Sequence, residues 1–224
     1  MLITVYSDKG GVAKTTTAIN LVGAAIADGI KPSSILLIDG DASQFAHRWA
    51  QRRKEKLNEL SIASLALRPE DSPSAAGIDI AKLKERIELI IVDPAARLNR
   101  VAKEFLCHSD ICITPIQPNR GEVESLPIIA ESFDAISKIN SKCINKTFLT
   151  RVPVLNQASK VLDFKSVLER HGIEHTNTYL SELESYNAER LRGGTVFECK
   201  SLKSAKRGQK EISDLWSEIR TTLK

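Results

Sequence analysis

Short apolar runs alternate along the chain with stretches whose apolar residues recur every three or four positions. "LITVYS" (2–7), "SILLID" (34–39), "ELIIVD" (88–93), "DICITPI" (110–116) and "KTFLTR" (146–151) read as buried strands, being short and rich in β-branched or aliphatic residues. "SIASLAL" (61–67) and "TNTYL" (176–180) carry a weaker form of the pattern. Helical spacing covers 14–28, 43–60, 78–86, 98–108, 121–139, 158–171, 184–192 and 204–222. This alternation predicts an α/β fold, a mostly parallel sheet with helices on both faces. "RPEDSPSAAG" (68–77) is too short to separate domains and no repeat is visible, so one domain over 1–224 is expected. In such sheets ligands bind beyond the carboxyl ends of the strands. The informative residues should therefore follow each strand.

Composition narrows the picture only a little. The chain has 224 residues, 42% of them hydrophobic, and a net charge of +4. That size supports one sizeable core, and the charge allows a nucleic-acid partner without requiring one. Cys107, Cys112, Cys143 and Cys199 are widely spaced with no C-x-x-C pair, which argues for reduced thiols rather than a metal or disulfide framework. No secretory leader pattern and no apolar run of about 20 residues are present. A soluble, cytoplasmic protein is expected.

The first strand runs into "SDKGGVAKTT" and then a helix. A standard phosphate-binding loop, G-x-x-x-x-G-K-[ST], would place glycine at positions 8 and 13, where this chain has Asp8 and Ala13. The other parts are present. Gly10 and Gly11 let the backbone turn and approach phosphate oxygens. The N–H groups that follow, through Val12 and Ala13, and the helix N-terminus point at the anion. Lys14 supplies charge to the β- and γ-phosphates, Thr15 a hydroxyl for Mg²⁺, and Thr16 a further hydrogen bond. Ala13 costs roughly 1–2 kcal/mol if its φ is positive and little if it is negative.

K-G-G-x-x-K-[ST] resembles the deviant Walker A signature of the ParA/MinD family of P-loop ATPases. The resemblance implies ATP and Mg²⁺ as ligands. It also implies a role for the additional lysine, Lys9, which in the family reaches across an ATP-dependent homodimer to the partner's nucleotide.

Two further strands end in carboxylates. "SILLIDGDAS" offers two carboxylates, Asp39 and Asp41, which can do different jobs. The family's D-x-D-P-Q element is matched in its acids but not in Ala42 and Ser43, and Trp49 stands at the matching tryptophan. The resemblance gives Asp41 the attacking water and Asp39 a place in the magnesium shell. "ELIIVDPAA" ends at Asp93 in a Walker B pattern, able to hold a magnesium-bound water. Pro115 and Pro118 loosely match a proline-rich family segment on the interface side.

Beyond residue 115 the likeness is diffuse. By resemblance, Arg151 and Pro153 lie near the adenine. Arg190, Arg192, Lys200, Lys203, Lys206, Arg207 and Lys210 stand against one acid, Glu198, a balance suited to DNA phosphates. The family likeness is to the small partition ATPases, which bind DNA non-specifically when ATP-bound, associate with the nucleoid and are stimulated by a centromere-binding or adaptor protein. Plasmid partition or cargo positioning is the implied use. A MinD-like membrane-cycling ATPase and a conjugal DNA-transfer accessory ATPase are the alternatives. The last helix places Ile212, Leu215, Trp216, Ile219 and Leu223 on one face, but Glu211, Asp214 and Glu218 make its polar face a poor match for anionic lipid. Packing onto the domain is expected instead.

Overall fold

The computed structural model describes residues 1–155 and 157–224, with Arg120 described by its backbone alone. Among the described residues seven strands form one sheet: β1 (Leu2–Val5), β2 (Ile35–Gly40), β3 (Ala63–Ala66), β4 (Leu89–Pro94), β5 (Ile111–Ile116), β6 (Ile144–Val152) and β7 (His175–Ser181). Their order is β3-β2-β4-β1-β5-β6-β7, and every pairing is parallel. The helices are α1 (Lys14–Ala27), α2 (Phe45–Lys56), α3 (Ile80–Arg86), α4 (Arg100–Leu106), α5 (Arg120–Val123), α6 (Leu126–Ile139), α7 (Gln157–Arg170) and α8 (Ala205–Thr222).

Successive strand residues serve opposite faces. Ile3, Leu37 and Ile91 join α1, α2 and α8 in one core, while Leu2, Leu36, Ile38 and Ile90 pack with α3 and α4 in another. A third cluster, around Ile116, Leu149, Phe164 and Leu168, joins α6 and α7 to the sheet. The two weakly patterned strands, β3 and β7, are the two edges. The apolar face of α8 is buried at Ile212, Leu215, Trp216 and Ile219, so this helix packs onto the domain as its pattern predicts. Among the described residues no helix is long and apolar enough to cross a membrane.

Three helical expectations differ in detail. The 43–60 pattern is helical only to Lys56, and a 3₁₀ turn follows at Asn58–Leu60. The 121–139 pattern is two helices, with Pro127 entering the first turn of α6. The 184–192 pattern forms no α-helix but two 3₁₀ turns, Glu184–Tyr186 and Arg190–Arg192. Long-range bonds hold that segment to other elements. The Asn20 amide donates to the Tyr186 carbonyl and accepts from the Val196 N–H, and the Tyr186 hydroxyl donates to Glu211.

The same segment is clamped to α2. Ala46, Trp49, Ala50 and Arg53 form one buried stripe, so a wholly buried arginine ends an otherwise apolar face. Its guanidinium donates to the carbonyls of Leu60 (2.8 Å) and Gly193 (2.9 Å) and pairs with Glu198 at 2.8 Å. The Trp49 indole donates to the Gly194 carbonyl. Gly193 has φ 76°, and a Cβ there would lie 2.2 Å from the Arg53 backbone nitrogen. Glycine is required at that contact on both counts.

Candidate functional site: the loop after the first strand

β1 is central, with β4 and β5 as neighbours, so the loop after it opens at the middle of the sheet's carboxyl edge. Gly11 (φ 76°) and Ala13 (φ 73°, ψ 26°) both adopt the left-handed conformation, which turns the chain into α1. Ala13 therefore carries the strain that the sequence left open. Replacing it with glycine is expected to stabilise the nucleotide-free protein by about 1 kcal/mol, read in a denaturant titration. A lower midpoint in Ala13→Gly would show that the methyl group packs usefully in the loop. Gly10 is not in that region, and a Cβ there would meet no atom within 4 Å.

Lys14 is buried at the start of α1, and its ammonium donates to the Lys9 carbonyl at 2.9 Å. Burial lowers its pKa, while Asp93, Asp41 and Asp8 oppose the shift. Asp93, at the end of β4, is buried with neither carboxylate oxygen hydrogen-bonded within bonding distance. Burial raises its pKa to about 7, with the Asp39 charge adding to the rise and the nearby Thr15 hydroxyl and Lys14 ammonium opposing it. A buried carboxylate without a donor suits a metal-bound water, so the residues fit magnesium. Among the described residues no group of three or more His, Cys, Asp or Glu could hold a metal without other ligands.

Asp39 pairs in register with Asp93 across β2 and β4. Its carboxylate is already engaged, accepting from the Asp41 N–H (3.0 Å) and the His47 N–H (2.9 Å). It thus fixes the turn that carries Asp41 and the first turn of α2. The half-buried Asp41 accepts from the Ser43 N–H at 2.8 Å.

Lys9 is partly exposed and folds onto its own chain, 3.1 Å from the Glu122 carboxylate on α5. Asp8 accepts from the Tyr6 and Ser132 hydroxyls, tying the loop to α6. A glycine at position 8 could not make that tie. On the other side of α1, a cleft of about 300 Å³ is lined by Ala13, Thr16, Arg151, Tyr186 and Asn187. The Thr16 hydroxyl donates to the Asn187 Oδ1 at 3.2 Å. Arg151 thus joins the loop, while Pro153 does not line this cleft. Glu122, Asp8 and Asn187 escaped the sequence pattern because each acts through a partner far along the chain.

The basic residues of the C-terminal third divide into two sets. Arg192, Arg207 and Lys210 are paired with Glu189, Glu211 and Asp214. Lys200, Lys203 and Lys206 are exposed, with no ion pair among the described residues. Arg190 lies over the Phe45 ring on α2.

No protein-family model matches the chain. It is 24% identical to Protein ParA of Rhizobium radiobacter over 204 residues, 89% of this chain and 86% of that protein. It is also 24% identical to Maintenance of carboxysome distribution protein A of Gloeobacter kilaueensis over 200 residues, 88% and 84% of the two chains. Its fold superposes on the MinD cell division protein of Aquifex aeolicus with a TM-score of 0.70 at 16% identity, covering 98% of this chain and 96% of that one. The chain is thus similar, over most of its length, to ParA- and MinD-type proteins. Its α/β architecture is the fold of the MinD structure. Against the ParA/MinD signature, Ala13 and the Ala42–Ser43 pair are departures, and both fall in turns, at the left-handed Ala13 and beside the Ser43 N–H bond to Asp41.

Proposed function

We propose that this protein is an ATP-driven, ParA-like switch that binds ATP with Mg²⁺, dimerises, holds DNA non-specifically and hydrolyses ATP slowly. The observation that carries this reading is the two-lysine loop, in which Lys14 is buried near the unpartnered Asp93 and Lys9 remains at the surface. Bound magnesium would neutralise charge on the β- and γ-phosphates. Lys14, the N–H groups from Gly10 to Thr16 and the start of α1 bind and orient the triphosphate. Thr15 and Asp93 hold the metal and its water, and Asp39 supports them by fixing the Asp41 turn. Asp41 orients the attacking water. Arg151, at the cleft beside Thr16, borders the base. Gly10 needs no glycine for strain or own-chain packing, which supports close approach of a ligand there.

Lys9 would leave Glu122 to reach the nucleotide of a second copy. Lys200, Lys203 and Lys206 are the residues best placed to meet DNA phosphates, since the paired cations are already neutralised. The cargo would be a plasmid or a cytoplasmic assembly, positioned with a stimulating adaptor. Burial of the apolar face of α8 weighs against membrane cycling.

The test is binding to an arbitrary duplex with ATP, ADP or no nucleotide at two salt concentrations. ATP-dependent, salt-weakened binding is expected. It should persist in Asp41→Ala without release, and it should fall about tenfold or more when Lys203 and Lys206 become Glu. Equal affinity in all three nucleotide states would refute the switch.

A further inference from the structure

A second surface lies on α2, beside the Asp41 turn. Phe45 is the first residue of the helix and is 48% exposed. The Arg48 guanidinium lies 5.0 Å from its ring centroid and the Arg190 guanidinium 5.8 Å. Arg52 completes the group. Its Nε is buried with no hydrogen-bond partner, and burial together with the Arg48 and Arg190 charges lowers its pKa. The Glu55 carboxylate opposes this shift. Leu191, next to Arg190 in the 3₁₀ turn, is 78% exposed. The turn is held to α2 by the Arg53 and Trp49 bonds, so the patch is a fixed surface.

We infer that Phe45, Arg48, Arg52, Arg190 and Leu191 form a docking surface for an acidic, amphipathic segment of a partner protein. Crowded guanidiniums with almost no acid among them call for an anionic occupant, and arginine forks suit carboxylates. The apolar residues decide between anions. An exposed phenylalanine and leucine within the arginine group gain by burial against apolar side chains. A phosphodiester backbone offers them nothing, and the unpaired, aromatic-free lysines at 200, 203 and 206 serve that ligand better. Asp39 accepts from the His47 N–H in the first turn of α2, so an occupant of the patch sits one helical turn from the carboxylate that fixes Asp41.

The test uses four fluorescent probes on the full chain: a synthetic helical peptide with Glu on one face and Leu on the other, an all-Glu peptide, the amphipathic peptide with Lys for Glu, and an arbitrary duplex. The acidic amphipathic peptide is expected to bind at least tenfold tighter than the other two peptides. Arg48→Glu and Phe45→Ala should each weaken it about tenfold, and Phe45→Ala should leave duplex binding unchanged. Three results would overturn the inference: no preference for the acidic amphipathic peptide, a preference that neither variant moves, or loss of duplex affinity in Phe45→Ala. The peptide readout needs no ATP turnover, so its failure leaves the nucleotide reading standing.

Discussion

Lys14→Ala should lower ATP affinity by a hundredfold or more, roughly 3 kcal/mol. The size follows from where the ammonium sits. Lys14 is buried, its donor to the Lys9 carbonyl spans the loop, and the Asp93, Asp41 and Asp8 charges keep it cationic against burial. A charge already desolvated and aimed by the loop loses little on meeting a triphosphate, so its removal is felt almost in full. Equilibrium dialysis with a labelled ATP analogue measures it. Affinity within a few fold of the parent would mean that phosphate is bound elsewhere. Lys14→Arg keeps the charge but not the compact point geometry, and should recover only part of the loss.

The second large effect has the opposite sign for stability. Asp93→Asn should stabilise the nucleotide-free protein at pH 8 by on the order of 2 kcal/mol, while removing the extra stability that Mg²⁺ and ATP confer together. Asp93 has a folded pKa near 7, above the ordinary carboxylate value. Below pH 4 it is protonated in both folded and unfolded chains and costs nothing. Between about pH 4 and 7 the unfolded chain ionises while the folded one keeps its proton, so stability falls as pH rises, and the loss levels off above 7. The asparagine variant lacks this slope. Thermal unfolding at pH 5 and pH 8, with and without Mg²⁺ and ATP, reads both halves. An Asp93→Asn protein that melts earlier than the parent at pH 8 would show that the carboxylate has a stabilising partner after all.

Much of this was legible in the sequence, for identifiable reasons. All seven strands follow from apolar runs, and the two faint ones are faint because β3 and β7 are edges, where one neighbour is missing and burial is incomplete. The loop from Lys9 to Thr16 was legible because its chemistry is local: turn, charge and hydroxyl lie within one stretch. Asp39 was harder. Strand position put it beside Asp93, but only geometry shows its oxygens committed to the Asp41 turn and α2. The 184–192 segment has helix-forming residues, and no local pattern announces that Asn20 and Arg53 will hold it in 3₁₀ turns. Arg53 itself did leave a trace. It occupies the fourth place in the stripe Ala46, Trp49, Ala50, Arg53, where an arginine in line with a helix's buried face signals an internal partner. The Lys9–Glu122 pair left none, because nothing local links a loop to a helix more than a hundred residues away.

The strand order also sets a timetable for synthesis. β1 is made well before its two neighbours, β4 and β5, with Leu2 opposite Ile90 and Ile3 opposite Ile111. The loop after β1 is therefore translated long before its walls, which are complete only when β5 has been made. The early product, β1 to α2, holds two apolar strands, β1 and β2, whose partners are not yet made, and is exposed to the hazards of slow non-local pairing. On the proposed nucleotide-binding reading, a nascent chain would become competent for ATP only after β5 emerges, and ATP would then favour the first correctly paired sheet.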